Sequence, residues 1–530
     1  MNKTKVPALS QYAAEYFSEE PLNESEQHFL SVLPAGGSVL NTEVPAFSGT
    51  VRAELLRWLC LDSRSNTFIG HSGIDVTGVR FTGKLDLQST VINFPLVFTK
   101  CIFEDDINLR FAETRSLLFS GSRIRSFQGE RLTVKGMLYL NEGLDARGII
   151  NLTGARIDGN LDLSNGYFIN KKGKVIQCNR IEVGGSVLFD QGFKAEGEVQ
   201  IIDAKIKGNL SCRNGMFLNS GNDALSVDRT KIGGSVFLNE GFTSDGIVRF
   251  PGAEINGQLN FDKSIFTGLQ RNGVFAQNLS VTEGLFWREV TATNLTELIL
   301  AHAKVGQLCD DAQSWPAYGN LVIDGFSYRE IASSSPTDVD SRSDWLHRQP
   351  QQPFRPQPYE QLAAVLKTSG FEEEARSILI DKQRNRLRYG NVNRRSYYWN
   401  KLLGLTIGYG YRPHRSLLFM AVFLFIGTIL FEIGFKNDAI APTNVVVISR
   451  EEYIVHRRIP EAYPSFNALV YSLDTFLPIV DLHQSSHWLP NKNRGAFGIF
   501  LFWYMRFHIM LGWILTSLAV IGFSGIVRKD

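Results

Sequence analysis

Four residues between two long apolar runs have the types that could pass a cation. They are Asp474, Thr475, Pro478 and Asp481, in FNALVYSLDTFLPIVDL (466–482). Rings of carboxylates select cations in pores, so in an oligomer Asp474 and Asp481 would supply such rings. The stretch is apolar, too short to cross a bilayer and interrupted at Pro478, which suits an interfacial or re-entrant segment. The plainer reading is a small outer lid on the bilayer surface; the sharper one is the pore loop of a two-helix channel. Asp481, His483 and His487 are of metal-ligating type, with the histidines four apart on one helical face. No fourth ligand is evident, so they read as polar loop residues and no metal is assigned.

Other motifs are weaker. Thr406-Ile407-Gly408-Tyr409-Gly410 spells a potassium-channel filter, but it precedes the first apolar run and sits among arginines. It reads as a tight turn, with Pro413 starting a helix. Sequence fingerprints for nucleotides, a serine nucleophile or zinc hydrolysis are missing, and no cofactor is expected. Cys60, Cys101, Cys178, Cys212 and Cys309 form no C-x-x-C pair. They read as buried reduced thiols, which suits a reducing compartment. Formal net charge is +2, and no nucleic-acid partner is expected. Arg384, Arg386, Arg388, Arg394, Arg395, Arg412 and Arg415 lie in a run without an acidic residue. They are expected to bind a lipid bilayer through its anionic headgroups.

The elements that position these residues follow from hydropathy. Residues 416–435 and 509–527 are apolar runs long enough to span a membrane, the second beginning as early as 498. Trp503, Tyr504 and Trp513 fit an aromatic belt, which would put Arg506 and His508 near the outer interface. The loop 436–497 carries six basic and six acidic residues, whereas the flanks are basic, so both ends are expected in the cytoplasm. The N-terminal MNKTKVPALSQYAAEYF has no apolar core of a secretory signal. Residues 331–357, rich in Ser, Gln and Pro, read as a linker. Residues 358–415 read as a helical hairpin broken at Gly370, followed by the basic juxtamembrane segment.

Most of the remaining chain is a repeat. KGMLYLNEGLDARGIINLTGARIDGNLDLSNGYF from Lys135 recurs from Gly184 and Gly233 with a 49-residue period. Such a period means a solenoid, which has long binding faces and no ready-made catalytic cleft. Leu138 and Leu140 recur as Leu161 and Leu163, so each unit is two coils of about 23 and 26 residues. Alternating apolar residues predict three short strands per coil. Gly148, Gly197 and Gly246 are expected at corners with positive φ. The fold class is therefore mainly β: a parallel right-handed β-solenoid over 66–330, in roughly ten coils. A helical cap over 1–65 precedes it, with VRAELLRWLCLD as a helix N-capped by Thr50 or Ser48. The hairpin and two transmembrane α-helices follow.

GARIDGNLDLSNGYF and GGSVFLNEGF, with QPYEQLAAVLKTSGFEEEARSILIDKQ, YGYRP and LGWILTSLAVIGFSGIVRK, resemble bacterial membrane-associated proteins with divergent pentapeptide-like repeats. That resemblance implies a solenoid plus two transmembrane helices in the bacterial inner membrane. Its members are often labelled membrane-associated oxidoreductases; the architecture carries over, and no residue here supports the activity. The expected function is a membrane-anchored, oligomeric solenoid that binds an unknown cytoplasmic protein or ligand; in the sharper version of this reading it gates a pore. The alternative is the oxidoreductase.

Overall fold

The computed structural model describes residues 9–33, 49–69, 73–456 and 459–524. The chain divides into two units, Met1–Ile378 and Leu379–Asp530.

In the first unit, Ile102–Phe103, Ile107–Asn108, Glu113–Thr114 and Leu117–Leu118 complete one turn. Arg123 then pairs in parallel with Ile102, Asp145 with Arg123, and Tyr167 with Asp145. The early turns therefore have four short strands where three were expected. From Tyr167 one longer strand (Tyr167–Gln177, Lys194–Gln200, Met216–Ser226, Thr243–Arg249) covers two sides, and each of these turns has the expected three. Inward side chains recur every five residues at Ile107, Ala112, Leu117, Ser122, Phe127 and Leu132, all buried. Two of these are small, so a search for large apolar residues passes over one side of the coil. The bore holds stacked rings; Phe98 and Phe119 lie 5.1 Å apart, and Phe193 and Phe217 5.0 Å. The solenoid makes about eleven turns.

The corners are not built mainly from glycine. Ser89, Phe111 and Arg131 take φ of 56°, 59° and 54°. Each is the third residue of a turn closed by a backbone bond, as where the Ala112 N–H donates to the Leu109 carbonyl at 3.1 Å. Gly197 and Gly246 have the expected positive φ, at 131° and 141°. Gly148 does not. Its reason is space, since a Cβ there would meet the Arg125 carbonyl oxygen at 2.6 Å.

Open strand edges invite aggregation, and both ends are closed by side chains. Helices α1 (Leu9–Tyr16), α2 (Glu24–Val32) and α3 (Ala53–Leu61) form the N-terminal cap. The first rung is Thr50–Arg52, paired with Arg80–Thr82. The helix expected from Val51 with Thr50 or Ser48 as its cap starts later: Thr50 is a strand residue and α3 begins with no side-chain cap, while Ser48 lies outside the described residues. Asn23 donates to the Thr50 carbonyl, and buried Glu26 accepts the Arg52 N–H and Nε at 3.0 and 2.8 Å.

At the other end the expected linker contains a helix, α4 (Val339–His347), capped by Asp338. Its Arg342 is fully buried and makes two bonds of 2.8 Å to Asp310, which also accepts the Trp315 Nε1–H at 2.9 Å. Polar composition concealed this ion pair. Helix α5 (Gln357–Thr368) follows, and its Gln357 and Gln361 donate to the carbonyls of Phe326, just before the last strand Ser327–Ile331, and of Tyr328 within it. Gly370, with φ 89°, separates α5 from α6 (Glu372–Tyr389), the expected hairpin.

In the second unit α7 (Arg394–Ile407) ends in a left-handed turn at Gly408–Gly410. Helix α8 (His414–Lys436) and helix α13 (Gly495–Phe523), of 23 and 29 residues, are long and apolar enough to cross a membrane. Between them lie α9 (Val445–Ile448), α10 (Glu451–His456), α11 (Ala468–Phe476) and α12 (Gln484–His487). An antiparallel pair, Ile440–Pro442 with Trp488–Pro490, ties the loop at its base.

Candidate functional site

Helix α11 is the element that links the candidate residues to the two long helices. Asn467 caps it, accepting the N–H groups of Leu469 and Val470 at 3.1 Å. It packs against both α8 and α13. At its start, Tyr471 stacks edge-on to Phe431, and its hydroxyl reaches the Met505 sulfur at 3.2 Å. One residue on, the Ser472 hydroxyl donates to the Leu424 carbonyl at 3.1 Å and lies 3.2 Å from His508 Nε2. Leu424 and His508 both lie in the middle stretches of their helices. His508 is buried against Phe431 and Phe476.

Two glycines, Gly427 and Gly512, make room for this insertion, and a third, Gly434, lets α8 approach α13. A Cβ on Gly427 would meet the His508 ring and the Ser472 hydroxyl at 2.6 Å. One on Gly512 would stand 1.8 Å from the Phe476 carbonyl oxygen, and one on Gly434 would meet Leu501 at 2.3 Å. Ser472 and these glycines do not stand out in the sequence, because each is a small residue inside an apolar run. Their signal was present as small residues, which let helices approach closely in lipid.

The proposed pore residues are held in different ways. Asp474 is half-buried, and its two carboxylate oxygens accept the N–H groups of Leu482 and Ser485 at 2.5 and 2.7 Å. It thereby closes the segment that returns from α11. The Thr475 hydroxyl is buried and donates to the Tyr471 carbonyl at 2.7 Å. Pro478 is half-buried at the turn, beside the exposed Ile479. Asp481 is exposed and pairs with His483 at 3.0 Å. His487 instead packs against Tyr463, and no cluster of three metal-ligating side chains occurs among the described residues.

Arg384, Arg386, Arg388, Arg394 and Arg395 are exposed, while Arg412 and Arg415 are half-buried. Helix α7 buries Leu403 and Ile407 against Leu518 of α13 and exposes Tyr398, Trp399, Leu402 and Leu405. Three successive residues, Gly408, Tyr409 and Gly410, have φ of 56°, 58° and 89°. The T-x-G-Y-G string is thus the expected tight turn. Gly404 lets the Tyr409 ring cross α7, since a Cβ there would meet the ring at 2.6 Å. Burial raises the Tyr409 phenol above its ordinary pKa, against the pull of the Arg384 guanidinium.

The solenoid exterior is charged but locally neutral. Arg123 pairs with Asp145, Lys205 with Glu182, Lys231 with Glu254 and Arg229 with Asp203, each between adjacent turns. The five cysteines, Cys60 in the cap helix α3 and four in the solenoid, are free and buried. Burial pushes the Cys60, Cys101 and Cys178 thiols up to about 12, so they are not thiolates at neutral pH.

A solenoid followed by two apolar helices is the architecture that the resemblance to divergent repeat proteins implies. For the repeat class and the oxidoreductase label the comparisons give no support: no protein-family model, curated protein or solved structure matches this chain.

Proposed function

We propose that this chain is a membrane-anchored β-solenoid protein. In this reading α8 and α13 cross a bacterial inner membrane, and the solenoid offers its faces to a cytoplasmic partner. One observation carries the anchor. Leu418, Phe425, Trp503 and Phe523 on the two long helices are 67%, 67%, 62% and 61% exposed. Water would not tolerate that much apolar surface, and lipid requires it. The core helix of a soluble domain, by contrast, would be mostly buried. The basic flank 382–415 supports the cytoplasmic side by the positive-inside rule. Flotation with vesicles after alkaline carbonate washing tests the anchor, and recovery in the soluble fraction would overturn it.

A second reading is favoured by the position of α11. A half-helix inserted between two spanning helices is the plan of a pore-loop channel. It requires a homo-oligomer, because one two-helix chain cannot enclose a pore. Native mass spectrometry in nanodiscs is expected to show a ring of at least three copies, with conductance in planar bilayers. A monomer or dimer would end the pore reading and leave the anchor standing.

A further inference from the structure

The basic flank contains more than a charged surface. Helices α6 and α7 and the start of α8 border an open cleft of about 540 Å³. Arg384, Lys401 and Arg415 line it, and no acidic residue does. Its volume is that of an ordinary small-ligand site. The hydroxyl-bearing Tyr398 and Tyr409 line it too, as do Leu402 and Leu405. Both leucines are exposed, as are Arg384 and Lys401, so cations and apolar side chains are offered to one occupant. Arg415 stands one residue into α8, so the cleft meets the membrane-spanning helix directly.

An occupant must be anionic at one end and apolar at the other, and it must be met where a spanning helix enters the bilayer. Inorganic phosphate or a sugar phosphate satisfies only the first condition. An acyl chain satisfies only the second. We propose that this cleft binds one anionic phospholipid. Its phosphate sits among Arg384, Lys401 and Arg415, and its acyl chains pass along Leu402 and Leu405 toward α8. The exposed aromatic face of α7 lies in the headgroup layer beside it, as amphipathic interfacial helices do. Arginine forks and a lysine ammonium are the usual partners of phosphate. The Gly408–Gly410 turn fixes the cleft wall by holding the Tyr409 ring across Gly404.

This inference rests on the membrane anchor, and its test separates the two. Full-length protein would be delipidated in mild detergent, offered phosphatidylglycerol or phosphatidylcholine, and analysed by native mass spectrometry. Phosphatidylglycerol is expected to be retained at least tenfold better. The double variant R384Q/K401Q should lose that preference, while R394Q/R395Q, which removes equal charge outside the cleft, should keep it. Equal retention of the two lipids, or equal loss in both variants, overturns the site in favour of a diffuse basic surface. Displacement of the lipid by millimolar inorganic phosphate makes it a free-anion site and overturns the lipid assignment. Protein that floats with vesicles but retains no phosphatidylglycerol defeats this inference alone; protein that does not float defeats the anchor as well.

Discussion

Arg342 shows how much a single side chain holds at the end of the solenoid. It is fully buried and bonded to Asp310 through two nitrogens. Removing one partner of such a pair strands the other charge, which costs about 3–5 kcal/mol. Arg342→Met is therefore expected to lower stability by that much in denaturant unfolding of the full chain. The double change with Asp310→Leu should recover part of the loss, although it also removes an acceptor for Trp315. Glu26 plays the matching part at the other end. Burial opposes its ionisation, but bonds from the Arg52 side chain and the Arg52 and Asn23 N–H groups prevail and hold its carboxyl below the ordinary 4.5. A depressed folded pKa stabilises above the unfolded pKa, and that stability is lost as pH falls through the folded value. Acid should thus loosen the cap in the wild type, and Glu26→Gln should flatten this dependence in pulse proteolysis. Neither residue was legible as a structural pair, since the partners lie 32 and 26 positions apart in polar sequence.

At the scale of elements, α11 exists as an insertion because Gly427 and Gly512 leave room for it. Gly512→Ala would drive a Cβ into the Phe476 carbonyl, and α11 must then move out. Ser472→Cys offers a probe, because Ser472 is fully buried and the native cysteines are buried too. Water-soluble maleimide is expected to miss Cys at 472 in the parent and to label it in the Gly512→Ala background. Labelling in both would mean that α11 is not packed as described. At the solenoid's last strand, losing both Gln357 and Gln361 to Ala leaves the Phe326 and Tyr328 carbonyls without these donors. Each lost bond costs about 1 kcal/mol, and the uncovered edge should raise aggregation in light scattering. Hydropathy made the long helices legible, and length marked 466–482 as too short to span. The depth of α11 was not legible, because it depends on glycines whose effect appears only when three helices meet.

The whole molecule joins a charged, edge-sealed solenoid to a unit with an apolar exterior. If the anchor reading holds, Ser396→Cys and Ser449→Cys, both at exposed positions, must be labelled from opposite sides of a sealed vesicle. Labelling from one side would end the two-span topology. The 49-residue period made the solenoid legible from sequence, along with the unequal coils. The shape of the coil was hidden, because Ala112 and Ser122 point inward without being strongly apolar.

The unequal coils have a practical consequence. The longer ones leave the ladder after Ile169 and rejoin it at Lys174, and do the same between Leu218 and Asp223. Asn170 and Asn219 fasten these excursions by donating to the carbonyls of Lys174 and Asp223, each at 2.6 Å. Rungs on either side keep their pairing across these excursions. Chain length can therefore change there without propagating into the fold, which makes these spots natural grafting points for an epitope, a fluorophore or a tether.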